Sequence, residues 1–106
     1  MKKLDKNDPI AILAFNLIYG FVNEFGEEDT PTEDKFIKVC DKYLKGASLD
    51  AFLTNIFGDI DAYIDSGDKK WLTELGHDID YYFDEDVIIK INKEMGYKEF
   101  PKIPKA

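Results

Sequence analysis

The chain has 106 residues, 44% of them apolar and 14% aromatic, and 22 acids against 14 basic residues give it a net charge of -8. This length suits one domain, 1–106, with a modest core that needs no disulfides, and the apolar share argues against an intrinsically disordered polymer. Every basic residue is a lysine, so the acidity and the lack of the side chain best shaped for phosphate and base edges both disfavour direct nucleic-acid binding.

The first predicted helix covers 9–25. Asp8 is placed to cap it, and Pro9 occupies the first helical position, where a missing N–H costs nothing. Its apolar residues exceed one stripe, as Ile12, Phe15 and Val22 widen the set Ile10, Leu13, Ala14, Leu17, Ile18, Phe21 and Phe25; such a helix belongs at the centre of a bundle. Gly26 is its expected stop. Thr30-Pro31-Thr32-Glu33 reads as a capping box opening a second helix over 31–45, closed by Gly46.

Ser48 is the expected cap of a third helix over 49–65, with Leu49, Phe52, Leu53, Ile56, Phe57, Ile60, Tyr63 and Ile64 on one side and Asn55, Asp59, Asp61 and Asp65 on the solvent side. Asp68 can cap a fourth over 69–83, apolar through Trp71, Leu72, Leu75, Ile79, Tyr82 and Phe83, with Glu74, His77, Asp78 and Tyr81 facing outward. Asp84 or Asp86 then opens a fifth over 87–95, ended by Gly96. The remaining YKEFPKIPKA has two prolines and is expected to be extended. The fold class is therefore all-α, a compact bundle of about five short helices with a proline-containing C-terminal tail.

A lone cysteine, Cys40, cannot form an internal bridge, and the opening MKKLDKNDP turns polar at once; both fit a cytoplasmic protein without a secretory leader. The longest apolar stretch, 10–22, is broken by Asn16 and Gly20 and falls short of the roughly 20 residues a membrane span needs.

Metal and catalytic motifs fail on spacing. A calcium loop opening at Asp59 has Tyr63 where an oxygen ligand belongs and Ile64 where glycine belongs, and one opening at Asp65 has Gly76 in place of the closing glutamate. With a single histidine, His77, the His77-Asp78 pair cannot supply a phosphohydrolase metal centre, and one His with one Cys cannot fill a zinc tetrahedron. A Cys40–His77 dyad is disfavoured because Cys40 shares an apolar face with Phe36 and Tyr43, which makes it an inert core thiol. Paired carboxylates for glycoside cleavage are abundant enough, but a small helical chain rarely builds the deep cleft they require. No cofactor, metal or catalytic residue is assigned, and a non-catalytic role is expected.

Charge is the informative feature. Residues 59–86 hold ten acids and two lysines, and the other twelve acids and twelve lysines cancel, so the whole net charge sits in about a quarter of the chain. A surface kept merely soluble would intersperse both signs. Sorted charge steers basic partners and repels phosphate backbones. Within HDIDYYFDEDV, tyrosine among aspartates offers a rigid contact surface with complementary charge. The segment Asp80-Tyr81-Tyr82-Phe83 resembles the paired-tyrosine, acid-flanked recognition helix of colicin nuclease immunity proteins, without the proline that follows the tyrosines there. The resemblance implies a bacterial inhibitor that occupies the basic face of a toxin.

The expected function is thus a cytoplasmic immunity protein or inhibitor that neutralises a basic toxin, a nuclease by class. The partner-binding residues are Asp61, Asp65, Glu74, Asp78, Asp80, Tyr81, Asp84 and Glu85. Two alternatives stand beside it. A phage-type DNA mimic acting on a restriction, CRISPR or other DNA-binding protein would want carboxylates in a long regular row. A small ligand-binding or enzymatic bundle would want a pocket lined by Phe, Tyr and Trp71.

Overall fold

In the computed structural model, which describes residues 8–23 and 31–97, five helices follow one another: α1 (Pro9–Asn23), α2 (Pro31–Cys40), α3 (Gly46–Ser66), α4 (Lys70–Tyr82) and α5 (Glu85–Met95). No strand occurs among the described residues, and the protein is an all-α bundle. α1 starts as its sequence dictates. Asp8 Oδ1 accepts the Ile10 N–H at 2.9 Å, satisfying one of the donors that every helix N-terminus leaves open.

α1 is the centre of the bundle and packs against all four other helices. Ile10, Ala11, Leu13, Ala14, Leu17 and Ile18 are all buried, a band too wide for a helix lying on a surface. The other helices add Phe36 and Cys40 from α2, Phe52, Ile56 and Ile60 from α3, Leu75 and Ile79 from α4, and Ile88 and Ile91 from α5 to one continuous core. Phe52 anchors its aromatic part, with ring centroids 4.9 Å from Phe83, 5.3 Å from Tyr82 and 6.0 Å from Phe36. Trp71 is only half-buried at the margin of this core.

Three boundaries differ clearly from expectation. α2 stops at Cys40 rather than near residue 45, because the Tyr43 and Leu44 N–H groups both turn back to the Cys40 carbonyl at 2.9 Å. Two side chains of that turn are held from α5, where Glu94 accepts a hydrogen bond from Tyr43 Oη at 2.9 Å and pairs with the Lys42 ammonium. Gly46 therefore begins α3 instead of closing α2, and Ser48 lies inside the helix rather than capping it; Lys45 stands at the cap position without a side-chain hydrogen bond. α5 opens two residues early, at Glu85.

α3 and α4 form a hairpin about Gly67, whose φ of 68° places it in the left-handed region and whose N–H reaches the Tyr63 carbonyl at 2.7 Å. Asp68 caps the next helix as expected, its Oδ1 accepting the Lys70 N–H at 2.9 Å. α5 is tied back to the start of the chain where Asn92 Nδ2 donates to the Pro9 carbonyl at 2.9 Å. The expected stop at Gly26, the Thr30 cap and the tail beyond Tyr97 lie outside the described residues.

Candidate partner-binding surface

The α3–α4 hairpin carries most of the charge-rich stretch. Its two helices run antiparallel, so residue pairs across the seam step in opposite directions along the chain. Phe52 meets Tyr82 and Phe83, Asn55 Nδ2 donates to Tyr82 Oη at 3.4 Å, and one turn further on Asp59 meets Asp78 and Glu74. Asn55 and Asp59 are four apart on α3, and Glu74, Asp78 and Tyr82 are four apart on α4, so each set lies along one side of its helix.

Asp59 corrects the expectation that its side faces solvent. It is 9% exposed, and its neighbours in the buried set, Ile56 and Tyr63, fall three before and four after it, so a helical stripe passes directly through it. Burial first, then a hydrogen bond to Asp78, then the charges of Asp78 and Glu74 push its carboxyl up to about 8. The raised value favours the protonated form of Asp59 in its hydrogen bond with Asp78. The Asp59 Oδ2 is buried with no hydrogen-bond partner, which is tolerable for a neutral carbonyl oxygen and far more costly for half of a carboxylate.

The other candidate residues divide by direction. At about 100° per residue, Glu74, Asp78 and Tyr81 share one side of α4 whereas Asp80 points about 200° away from Asp78. Asp61 and Asp65 share a side of α3 turned well away from that of Asp59 by the same geometry. Asp84 and Glu85 are exposed at the turn into α5. The hairpin thus gathers Glu74, Asp78 and Tyr81 with Asn55, Asp59 and Tyr82, and sets Asp61, Asp65 and Asp80 on other faces. Asn55, Asp59 and Tyr82 were absent from the expected binding set. The signal for Asp59 was an acid inside an apolar stripe, a pattern more informative than acid density.

Tyr81 is 78% exposed, and its ring stands edge-on to Tyr82 at 5.0 Å between centroids. No described lysine forms an ion pair with an acid of this region. Among the described residues the ion pairs are Lys42–Glu94 and Lys45–Asp41, both outside 59–86, and the Lys70 ammonium lies 5.2 Å over the Trp71 ring instead.

Elsewhere, Cys40 is buried and its thiol is pushed up to about 12 by that burial, which keeps it protonated and unreactive. Among the described residues no three His, Cys, Asp or Glu side chains come together in an arrangement that could hold a metal ion. A groove of about 330 Å³ lies between α1 and α5, lined by Pro9, Ile12, Ile89, Asn92 and Tyr97 among others; Trp71 takes no part in it. No helix among the described residues is long and apolar enough to cross a membrane. No family model, curated protein or solved structure matches this chain.

Proposed function

We propose that this chain is a non-catalytic acidic binding protein, an immunity protein or inhibitor that neutralises a basic toxin of the nuclease class by covering its positively charged face. The observation that carries this reading is Tyr81, a large ring standing 78% exposed on the same side of α4 as Glu74 and Asp78, in a region where no described lysine pairs with an acid. An exposed tyrosine near carboxylates suits a hot spot against a cationic surface. Tyr81 is the anchor in this reading. Asp78, Glu74, Asp84 and Glu85 pair with or steer the partner, while Asp61, Asp65 and Asp80 add to the long-range field from other faces. The division of carboxylates among several directions favours a compact contact over the long row a DNA mimic needs.

Steered association slows as salt rises, because the screening length contracts from about 14 Å at 0.05 M to about 4 Å at 0.5 M. The test is capture of a partner at the lower salt, followed by association kinetics at both. A basic partner whose association rate falls at least about tenfold with salt, and whose binding is lost in Tyr81→Ala and Asp78→Asn variants of unchanged fold, is the expected result. A captured partner without basic character, or binding indifferent to both substitutions, defeats the reading. Simultaneous binding of duplex DNA and this protein by the partner also counts against occupation of a nucleic-acid face.

A further inference from the structure

The groove between α1 and α5 shares no residue with the α3–α4 seam and stands apart from the basic-partner reading. Pro9 and Ile12 form its α1 side, and Ile89, Asn92, Lys93 and Gly96, with Tyr97 beyond, form its α5 side. Ile89, Lys93 and Gly96 are spaced four and then three residues apart, so they follow one side of α5 over about 10 Å. The two walls are tied to each other. Asn92 is buried and its Nδ2 donates to the Pro9 carbonyl at 2.9 Å, so the groove is formed before anything enters it. The Asn92 Oδ1 is closed to solvent and offers a ligand nothing. At Gly96 a Cβ would meet no atom within 4 Å, which leaves that end of the groove open.

Two features of this lining select an occupant. Most of it is hydrocarbon: Ile89 is 47% exposed, and Pro9, Ile12 and Tyr97 are half-buried. Contiguous apolar surface of this kind is poorly hydrated, and a bound apolar body removes it from water. The one charged lining residue is Lys93. It is exposed and takes no part in the ion pairs among the described residues. In a chain of net charge -8, a groove lined by one cation and no acid opposes the sign of the whole. Each acid next to the lining in sequence already has a donor: Asp8 accepts the Ile10 N–H, and Glu94 accepts from Lys42 and Tyr43. Asp86 and Lys90, three residues before Ile89 and Lys93, are both exposed and opposite in sign.

We propose that this groove binds a small amphipathic carboxylate, with the hydrocarbon body against Ile12, Ile89 and Tyr97 and the carboxylate at the Lys93 ammonium. At about 330 Å³ the groove stands near the lower end of the range of small-molecule sites, about 300 to 1,000 Å³, which suits a short aliphatic or aromatic acid. The aliphatic stem of Lys93 extends the apolar wall while its ammonium stays at the wet rim, so the acid buries its body and keeps its head group solvated. A compact anion such as phosphate gains only an exposed pair with Lys93 and leaves the hydrocarbon uncovered. An uncharged alcohol covers the hydrocarbon and forgoes the pair.

The test titrates the whole chain with octanoate, octan-1-ol and octylammonium near about pH 7, where the acid and the amine are both charged, each below its micelle-forming concentration. Side-chain NMR of the isoleucine methyls and the Lys93 Cε position reads the binding. The expected result is saturable shifts at Ile12, Ile89 and Lys93 with octanoate, which binds about two- to fivefold more tightly than octan-1-ol, the size of an exposed ion pair, and more tightly still than octylammonium. Lys93→Gln is expected to remove that preference and leave the affinity for octan-1-ol unchanged, and Ile89→Ala to weaken all three probes. Lys93 and Ile89 are both exposed, so neither change is expected to disturb the fold. Absence of a saturable octanoate shift at Ile12 and Ile89 overturns the proposal, and equal affinity for octanoate and octylammonium overturns the choice of a carboxylate. A preference for octanoate that survives in folded Lys93→Gln overturns the placement of the head group. Shifts at the same residues that follow protein concentration with no probe added assign the groove to a second copy of the chain, which also overturns it. None of these outcomes alters the basic-partner reading, which rests on Tyr81.

Discussion

Two carboxyl groups in this protein sit in opposite electrostatic surroundings. At the junction of α2 and α5, Glu94 takes a hydrogen bond from Lys42 and another from Tyr43, and these donors hold its carboxyl below the usual range. On the α3–α4 seam, Asp59 faces Asp78 and Glu74, and its carboxyl is raised to about 8. The first cluster is complete within the chain and joins two helices. The second is completed only by a proton. What separates them is the described lysine beside Glu94, which Asp59 lacks.

The largest expected effect comes from removing the floor beneath the seam. Phe52 is fully buried and contacts Phe36, Tyr82 and Phe83, so Phe52→Ala should cost about 3–5 kcal/mol in urea unfolding. If the raised carboxyl depends on the packed hairpin, the same variant should return the Asp59 midpoint toward its ordinary range. A midpoint still at the wild-type value in a loosened protein would mean that the neighbouring acids alone set it.

Next comes Asp59 itself. An unfolded aspartate titrates near about 3.9 and the folded one at about 8, so between these values the native state holds a proton that the unfolded chain has released. Stability from this group is therefore fully present below the lower value and is withdrawn as pH rises through the upper one. Asp59→Asn should abolish that decline and leave the variant more stable than wild type near about pH 8.5 by about 1–3 kcal/mol, read from denaturant midpoints at several pH values. A wild-type protein equally stable at both ends of the window would remove the contrast between the two clusters.

Tyr81→Ala should shift stability by less than about 0.5 kcal/mol, because the ring is exposed and its removal opens no cavity; a larger loss would make Tyr81 part of the fold. The smallest effect is expected at the completed cluster, where the groups are largely solvated. A group held below its unfolded value stabilises above that value and ceases to do so as pH falls through its folded one. Glu94→Gln should therefore lower the thermal midpoint slightly at neutral pH and leave it unchanged toward about pH 2, well below the ordinary glutamate range.

Most of the helical architecture was legible because its determinants are local. The Asp8-Pro9 start, the three-and-four spacing of α3 and the Asp68 cap each lie within a turn or two of the structure they specify. The early end of α2 was not legible. Tyr43 and Leu44 continue its apolar periodicity, and the competing influence is Glu94, 51 residues further along from Tyr43. The surface was partly legible in the same sense. Exposure of Tyr81 follows from its place opposite the apolar side of α4, and the division between Asp78 and Asp80 follows from helical geometry alone, whereas which of the two meets α3 depended on how the helices pack. Asp59 was misjudged because its charge outweighed its register; the positions Phe52, Ile56, Ile60 and Tyr63 had already placed it inward.

The tight reversal at Gly67 gives the hairpin a fixed phase. One extra residue between Ser66 and Lys70 would turn α4 by about 100° and advance it by about 1.5 Å, bringing His77 opposite Asp59 and converting an acid–acid contact into an acid–base pair. One residue fewer would bring Ile79 there and seal the floor with hydrocarbon. The length of a three-residue link, as much as the identity of any carboxylate, therefore decides which chemistry this hairpin displays.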